Sequence, residues 1–323
     1  MVDIRKIQVT GGSTYIISLP HTWIENNGLG KGSQVFISEQ GKNLELSSAN
    51  ISSRERVKSM NISNSSDRAK IQRALVSLYI SNFDILTIRS REYLDQPSRD
   101  FISTVARSLM GTEIVEETAN TIVLQNVLNG ETFSMENAIR RMILVVDTMV
   151  QDTLKGLQES SAELMGNVIR RDDDVDRYHW YIYRETMETR NVASEKIFYF
   201  TLSRILERIA DHAVNICSIF LGRSIRSEID KNLISLLRTA LDMFQKSTKI
   251  FFSDDIDSMN DLVEMKELVR NQVKSISDEL LKKRESGFIS LEIEEISRIA
   301  LYSTDIAELA MDRISFSSET ISV

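Results

Sequence analysis

Carboxylate and amide side chains recur at the spacing of one helical turn in two segments of this sequence. Residues four apart on an α-helix share a face, so each segment would present its oxygen atoms in a row. Packed like charges repel each other, and a bound cation relieves that repulsion. Carboxylate and amide oxygens are hard ligands, which favours magnesium, calcium, manganese or oxidised iron. The candidate ligands are Asp172, Asp174, Asp176, Glu207, Asp211 and Asn215.

The same residues have an ordinary interpretation as a solvated helix surface. Arg208 could pair with the neighbouring acids in a surface ion-pair network. His179 and His212 lie close enough in the sequence to add a nitrogen ligand, although His212 is more simply a polar boundary residue. Cys217 is most simply a small apolar residue of the core. The sequence therefore leaves a cation site and a solvated acidic face as alternatives.

An internal repeat indicates how these acids are organised. The decapeptide ERIADHAVNI at 207–216 returns as SRIALYSTDI at 297–306. The second copy has Ser297 and Leu301 where the first has its two acids. This pattern suggests a duplicated helical bundle whose important carboxylates lie on one half.

Composition excludes several classes of protein. No apolar stretch approaches the roughly 20 residues that cross a bilayer, so no membrane insertion is expected. The first residues, MVDIRKIQV, lack the apolar region of a signal peptide. A single cysteine rules out an internal disulfide and fits a reducing cytoplasm. Residues 135–323 carry 33 acidic and 25 basic side chains and so account for the whole net charge of −8, which argues against a polyanion-binding surface there.

The patterns of turns and apolar residues predict a mainly α, multidomain protein with domains at 1–50, 51–134 and 135–323. The first domain has too few large apolar residues for its own core, so pairing with a second copy is expected. The second follows the order βαβαββ of a small α/β sandwich and carries no nucleophile–base pair, phosphate loop or ligand cluster, so its predicted role is packing and spacing. The predicted strands are 3–9, 14–18, 33–38, 43–47, 54–61, 84–88, 113–116 and 121–124, and the predicted helices are 20–27, 67–81 and 97–111.

The third domain is predicted to be a pair of three-helix bundles, at about 135–222 and 227–316. Its six helices are predicted at 135–157, 161–189, 194–221, 227–251, 255–285 and 290–315. The third of them has an apolar stripe with spacings of four and three residues, as in the seam of a helical bundle. The stripe consists of Phe198, Leu202, Ile205, Ile209, Ala213, Ile216 and Phe220. The acids 207 and 211 lie opposite this stripe, so we expect them on the outer face.

Two segments, LERIADHAVNI at 206–216 and VIRRDDDVDRYHW at 168–180, resemble the paired acidic motifs of the PhoU family of phosphate-uptake regulators. The resemblance covers about 135–323, and the counterparts in the second bundle, at 262–270 and 297–306, are degenerate. It implies tandem three-helix bundles and a negative regulator of phosphate transport, not an enzyme. Some members of the family carry iron or zinc clusters on these acidic faces. The ligands implied by position are Asp172, Asp176, Glu207 and Asp211, followed by Asn215 and Asp174.

Residues 1–50 separately resemble the SpoVT/AbrB swapped-hairpin module, at 12–15, 18–20 and 28–32. The resemblance implies a dimer with interleaved strands, and many such modules bind DNA. Equal numbers of acidic and basic residues would make that binding weak and sensitive to salt, so a simple dimerisation clasp is the alternative. The fusion of the two modules resembles an archaeal arrangement. The positions implied to meet DNA are Arg5, Lys6, Thr10, Ser13, Thr14 and Lys31.

Three functions follow from these patterns. The first is a cytoplasmic, dimeric regulator of phosphate uptake and homeostasis, which contacts a phosphate transporter or its ATPase. The second is primarily a transcription regulator that binds DNA through its N-terminal domain and senses a metal or phosphate with its helices. The third, a metal-dependent hydrolase, would need an open coordination position, a general base and a pocket, and the outward acids do not supply them.

Overall fold

The computed structural model describes residues 4–40, 43–48, 55–128, 133–188, 194–223, 227–253, 259–283 and 289–317. They form two compact units, 1–56 and 57–323. Parts of some predicted elements lie outside the described residues. These are residue 3 of the first strand, the turn at 41–42, residue 54, and helix residues 189, 255–258 and 284–285.

The first unit consists of two separate antiparallel hairpins and a short helix. Its elements are β1 Gln8–Thr10, β2 Thr14–Ile16, α1 His21–Asn26, β3 Val35–Gln40 and β4 Asn43–Ser48. Gly11 and Gly12 join the first two strands with positive φ angles of 62° and 91°, which glycine adopts without strain. Large apolar side chains on these hairpins are solvent-exposed, for example Ile4 at 89% and Tyr15 at 74%. The described part of this unit has no apolar core of its own.

The second unit begins with an α/β layer whose element order βαβαββ confirms the prediction. The elements are β5 Val57–Ile62, α2 Arg68–Ile80, β6 Ile85–Ser90, α3 Gln96–Ser108, β7 Thr112–Glu117 and β8 Thr121–Asn126. The strand order is β5-β6-β8-β7, with β5 and β6 parallel and the other pairs antiparallel.

Both helices of this layer cover one face of the sheet. Alternate residues of β6, Leu86 and Ile88, are fully buried in the same core as Leu75 of α2 and Ile102 of α3. The helices begin where the sequence predicts, since Asp67 and Asp95 accept hydrogen bonds from the first-turn amides of α2 and α3. The opposite face of the sheet carries exposed residues such as Arg89.

The rest of the second unit consists of six long helices, as predicted. They are α4 Met135–Glu159, α5 Ala162–Glu188, α6 Ser194–Phe220, α7 Glu228–Ser253, α8 Met259–Lys283 and α9 Ile289–Ser317. The first three pack on one another, and so do the last three, which confirms the two sets of three. The sets also meet through α6 with α9 and α4 with α7, so one continuous apolar core runs through all six helices.

The predicted stripe of α6 faces this core, but the buried surface of the helix is wider than the stripe. Leu206, Ala210 and Cys217 are also fully buried. The reason is that α6 packs against α4, α5 and α9, so three neighbours cover it where a bundle seam requires two.

A buried arginine fixes the α/β layer to the helices. Arg184 of α5 is 2% exposed, and its guanidinium donates to Asn82 Oδ1 at 2.9 Å and to Asn126 Oδ1 at 3.0 Å. The same group lies over the Tyr79 ring, 5.1 Å from its centroid. Burial raises the pKa of that tyrosine to about 12, so its hydroxyl stays protonated and donates to the carbonyl of Met110.

Candidate functional site

The helices α5 and α6 bring four of the predicted carboxylates together. Asp172 and Asp176 lie one turn apart on α5, and Glu207 and Asp211 lie one turn apart on α6, which packs alongside. We call these four residues the acidic cluster. Only Asp211 is exposed; the other three are half-buried, because the packing of α5 on α6 partly covers them. The prediction that the acid row of α6 faces solvent agrees with the exposure of Asp211 and Asn215, whereas Glu207 is half-buried.

The electrostatics of the acidic cluster show that its members repel one another. Burial, and then the charges of Asp172, Glu207 and Asp211, raise the pKa of Asp176 to about 7. Burial, Asp211 and Asp173 raise the pKa of Asp172 to about 6. The pKa values of Glu207 and Asp211 are also raised, chiefly by burial. Near neutral pH the cluster therefore holds protons that isolated carboxylates would have lost.

None of the four carboxylates makes an ion pair or a side-chain hydrogen bond within the described residues. Arg208, between the two acids of α6, instead donates to the Tyr302 hydroxyl of α9 at 3.1 Å and lies over its ring. The surface ion-pair network considered for this arginine is absent from the described part of the chain. Among the described residues no basic side chain forms an ion pair with the cluster, and the charges of Arg204 and Arg208 offset only part of the repulsion at Glu207.

The donor chemistry of the acidic cluster suits a hard cation, but the side chains do not converge into a coordination shell. No three His, Cys, Asp or Glu side chains among the described residues are close enough together to hold a metal ion. A cation at this place would require the carboxylates to turn towards one another. Their role as ligands stays a prediction.

The two weaker candidates are occupied elsewhere. Asp174 is exposed and lies 3.7 Å from the guanidinium of Arg177, one turn further along α5. The amide of Asn215 donates to Glu295 Oε2 on α9 at 3.1 Å. Neither side chain is directed into the acidic cluster.

The two histidines near the acids are engaged in contacts of their own. His179 is buried, its Nδ1 lies 3.0 Å from Ser203 Oγ, and burial together with the charge of Arg204 lowers its pKa to about 4. His212 Nδ1 lies 2.6 Å from Glu295 Oε2, and its ring stacks on Tyr302. Both residues therefore serve packing between helices.

Glu295 is the residue of this region that sequence reasoning missed. It accepts hydrogen bonds from both His212 and Asn215, so an acid of α9 joins that helix to α6. The sequence signal that could have identified it is its position two residues before the degenerate repeat at 297–306.

The predicted DNA-facing residues all lie on the surface of the first unit. Arg5, Lys6, Thr10, Ser13, Thr14 and Lys31 are exposed. Thr10 and Thr14 are paired across the first hairpin, directly beside the glycine turn. Their accessibility is compatible with a nucleic-acid surface, and their role stays a prediction.

No helix of the described residues is long and apolar enough to cross a membrane.

Two family models match separate parts of the chain. Residues 139–220, which span most of α4 to the end of α6 and include the whole acidic cluster, match the family model described as the PhoU domain. Residues 8–52 match the model described as antidote-toxin recognition MazE, bacterial antitoxin. These parts of the chain therefore resemble a PhoU domain preceded by a MazE-like module.

Particular relatives resemble it over part of its length. The phosphate-specific transport system accessory protein PhoU homolog 1 of Thermotoga maritima is 22% identical over 169 residues, which cover 49% of this chain and 73% of the relative. The crystal structure of PhoU from Pseudomonas aeruginosa is 19% identical with a TM-score of 0.45 and covers 59% of this chain and 99% of that one. The phosphate transport system regulatory protein PhoU from Streptococcus pneumoniae is 16% identical with a TM-score of 0.43 and covers 59% of this chain and 98% of that one.

Proposed function

We propose that this protein is a regulator of phosphate uptake that acts through binding and catalyses no reaction. The observation that carries the proposal is the PhoU-domain match over 139–220, because the matched helices hold the acidic cluster. The name of the Thermotoga maritima relative, an accessory protein of a phosphate-specific transport system, supports the same role.

The acidic cluster supplies a physical basis for regulation by binding. Four half-buried or exposed carboxylates that form no ion pair with any described residue attract a positive group. That group is a hard metal cation such as magnesium, manganese, iron or zinc, or a basic surface of a partner protein. The partner proposed is a cytoplasmic component of a phosphate transporter or its ATPase.

Phosphate uptake in cells tests the proposal. Deleting the gene is expected to raise the initial rate of labelled phosphate uptake in phosphate-replete medium, and the wild-type chain should restore the low rate. Asp172→Asn/Asp176→Asn should fail to restore it, whereas Asp174→Asn should succeed, because Asp174 is exposed and lies outside the cluster. Unchanged uptake in the deletion strain would refute the regulatory role.

Metal content tests the cation separately. The purified chain is expected to retain iron, zinc or manganese after supplementation and dialysis, and Glu207→Ala/Asp211→Ala should lose it. Asp174→Asn is again the matched control. A wild-type protein that stays free of metal would exclude a resident cation and leave a basic partner as the ligand of the cluster.

The first unit favours a second, complementary function in dimerisation and DNA binding. Its described residues expose large apolar side chains on both hairpins, including Ile7, Tyr15 and Phe36, and an isolated copy would leave these in water. A second copy would cover them. The exposed Arg5, Lys6 and Lys31 would then be present twice on one surface.

Two measurements distinguish dimerisation of the first unit from DNA binding by it. Sedimentation should give twice the chain mass of 36.9 kDa, and Tyr15→Glu/Ile7→Glu should return it to a monomer. A gel shift with the upstream DNA of the gene should show retardation at low salt that Arg5→Gln/Lys6→Gln abolishes. A dimer that retards no DNA at low salt would leave only dimerisation.

A further inference from the structure

The α/β layer contains a polar cleft whose lining residues all belong to that layer. It has a volume of about 770 Å³ and lies at the carboxyl ends of the two parallel strands, β5 and β6. In open α/β sheets, ligands bind in the crevice outside the carboxyl ends of the strands. The volume lies within the usual range for small-molecule sites. The side chains that define its chemistry are Asn61, Ser63, Ser66, Arg89, Arg91 and Glu92.

Two arginines give the cleft its positive charge. Arg89 and Arg91 are exposed, and neither makes an ion pair or a side-chain hydrogen bond with another described residue. Nearby Arg99 differs, since it is paired with Glu117 and donates to three backbone carbonyls. Unpaired guanidinium groups at the rim of a cleft are suited to bidentate recognition of a planar or tetrahedral oxyanion.

Neutral hydrogen-bonding groups surround the arginines. Asn61 is the register partner of Arg89 on the adjacent strand, so the two side chains lie next to each other on the same face of the sheet. Ser63 and Ser66 hydroxyls lie 3.2 Å apart in the loop that follows β5. One first-turn amide of α2 and one of α3 already bind their own caps, at Asp67 and Asp95, and the side chains named above are donors for a ligand.

One acidic residue also lines the cleft. Glu92 Oε1 accepts a hydrogen bond from the backbone amide of Asn64 at 3.1 Å, which holds the carboxylate at the wall. The lining therefore has two positive groups and one negative group, a net positive charge.

We propose that this cleft binds a phosphate group, either free or carried on a small organic molecule. The arginines neutralise the dianion, and the serine hydroxyls and Asn61 amide donate to its remaining oxygens. Inorganic phosphate would fill a small part of the volume, and a nucleotide or sugar phosphate would fill more of it. The proposal does not depend on the regulatory role above, because binding is measured on the purified chain.

Titration calorimetry on the full chain tests the site with three probes: inorganic phosphate, AMP and glucose 6-phosphate. Saturable binding of any probe is expected, and the tightest probe identifies whether the group is free or esterified. Arg89→Gln and Arg91→Gln should each weaken binding about 10-fold, the usual effect of losing one charge-assisted contact. Arg107→Gln, an exposed arginine in the last turn of α3, should leave the affinity unchanged.

The decisive variant changes affinity in the opposite direction. Glu92→Gln keeps an oxygen for the Asn64 amide and removes the negative charge, so it should tighten phosphate binding, by about 2- to 5-fold at low salt. Equal melting temperatures of the variants and the wild type would show that all of them fold. Absence of binding by every probe at 10 mM, roughly the weakest affinity of biological use, would overturn the proposal. Binding that Arg89→Gln and Arg91→Gln leave unchanged would overturn it as well.

Discussion

Replacing Asp176 by asparagine should make the protein more stable, although it changes a residue of the candidate site. The pKa of this carboxyl lies at about 7, against an ordinary value of 3.8, because burial and the charges of its three cluster neighbours penalise its ionised form. A rise of about 3 pKa units corresponds to about 4 kcal/mol at 1.36 kcal/mol per unit. The side chain is half-buried and its neighbour Asp211 is exposed, so solvent screens part of this energy, and we expect about 1–2 kcal/mol.

The pH dependence of stability follows from the direction of the shift. The folded protein binds the proton of Asp176 more tightly than the unfolded chain does. The contribution of this group to the free energy of unfolding is therefore fully present below about pH 4 and is lost as the pH rises through about 7. The wild type should accordingly lose stability between pH 5 and pH 8, and Asp176→Asn should lose less.

Urea unfolding at pH 5 and pH 8 in the presence of a chelator measures both effects. Asp174→Asn is the control, and we expect a change within about 0.5 kcal/mol, because that residue is exposed and its partner Arg177 is a surface residue too. Added manganese should stabilise the wild type and not Asp176→Asn if the cluster binds a cation. A chelated Asp176→Asn protein that is no more stable than the wild type at pH 8 would refute the repulsion on which the reasoning depends.

Two further predictions concern the framework. Gly111→Ala should destabilise the protein by at least about 2 kcal/mol, because φ is +75° there and a Cβ would stand 2.3 Å from that of Leu128. Gly166→Ala, in the second turn of α5 with its nearest side-chain neighbour at 3.6 Å, should instead stabilise the protein by about 0.5–1 kcal/mol. Thermal melts compare the two variants, and equal shifts would contradict the close approach at Gly111. Arg184→Ala should cost about 3 kcal/mol in denaturant unfolding, since it empties a buried volume and leaves the buried amide oxygen of Asn82 without its guanidinium donor. The exposed Arg107→Ala should change little, and a small loss at 184 would mean that the interface repacks.

Most of the secondary structure was predictable because local signals determine it, but the first strand, predicted at 3–9, is only Gln8–Thr10. Asp67, Asp95 and Ser134 cap their helices at the places where the sequence puts a helix start. The predicted long helices differ from the observed ones by a few residues at their ends, where fraying and the described ranges set the limits.

Tertiary neighbours were not predictable in the same way. A helical wheel placed Glu207 on an outer face, but the wheel contains no information on how closely α5 approaches, and the residue is half-buried. It likewise could not assign His212 and Asn215 to Glu295, which lies on a helix of the other bundle. The cleft beside Arg89 was not predictable from the sequence for a similar reason. Its residues come from two strands and two loops that only the parallel register brings together.

Helix α5 has 27 residues and is about 40 Å long at 1.5 Å per residue. Asp172 and Asp176 lie near its middle. Near its C-terminal end, Arg184 attaches it to the sheet layer by hydrogen bonds to Asn82 and Asn126. The helix thus connects the acidic cluster, near its middle, with the sheet layer, near its C-terminal end. We therefore expect that a displacement of the middle of α5, for example when a partner protein docks there, is transmitted through Arg184 to the sheet layer.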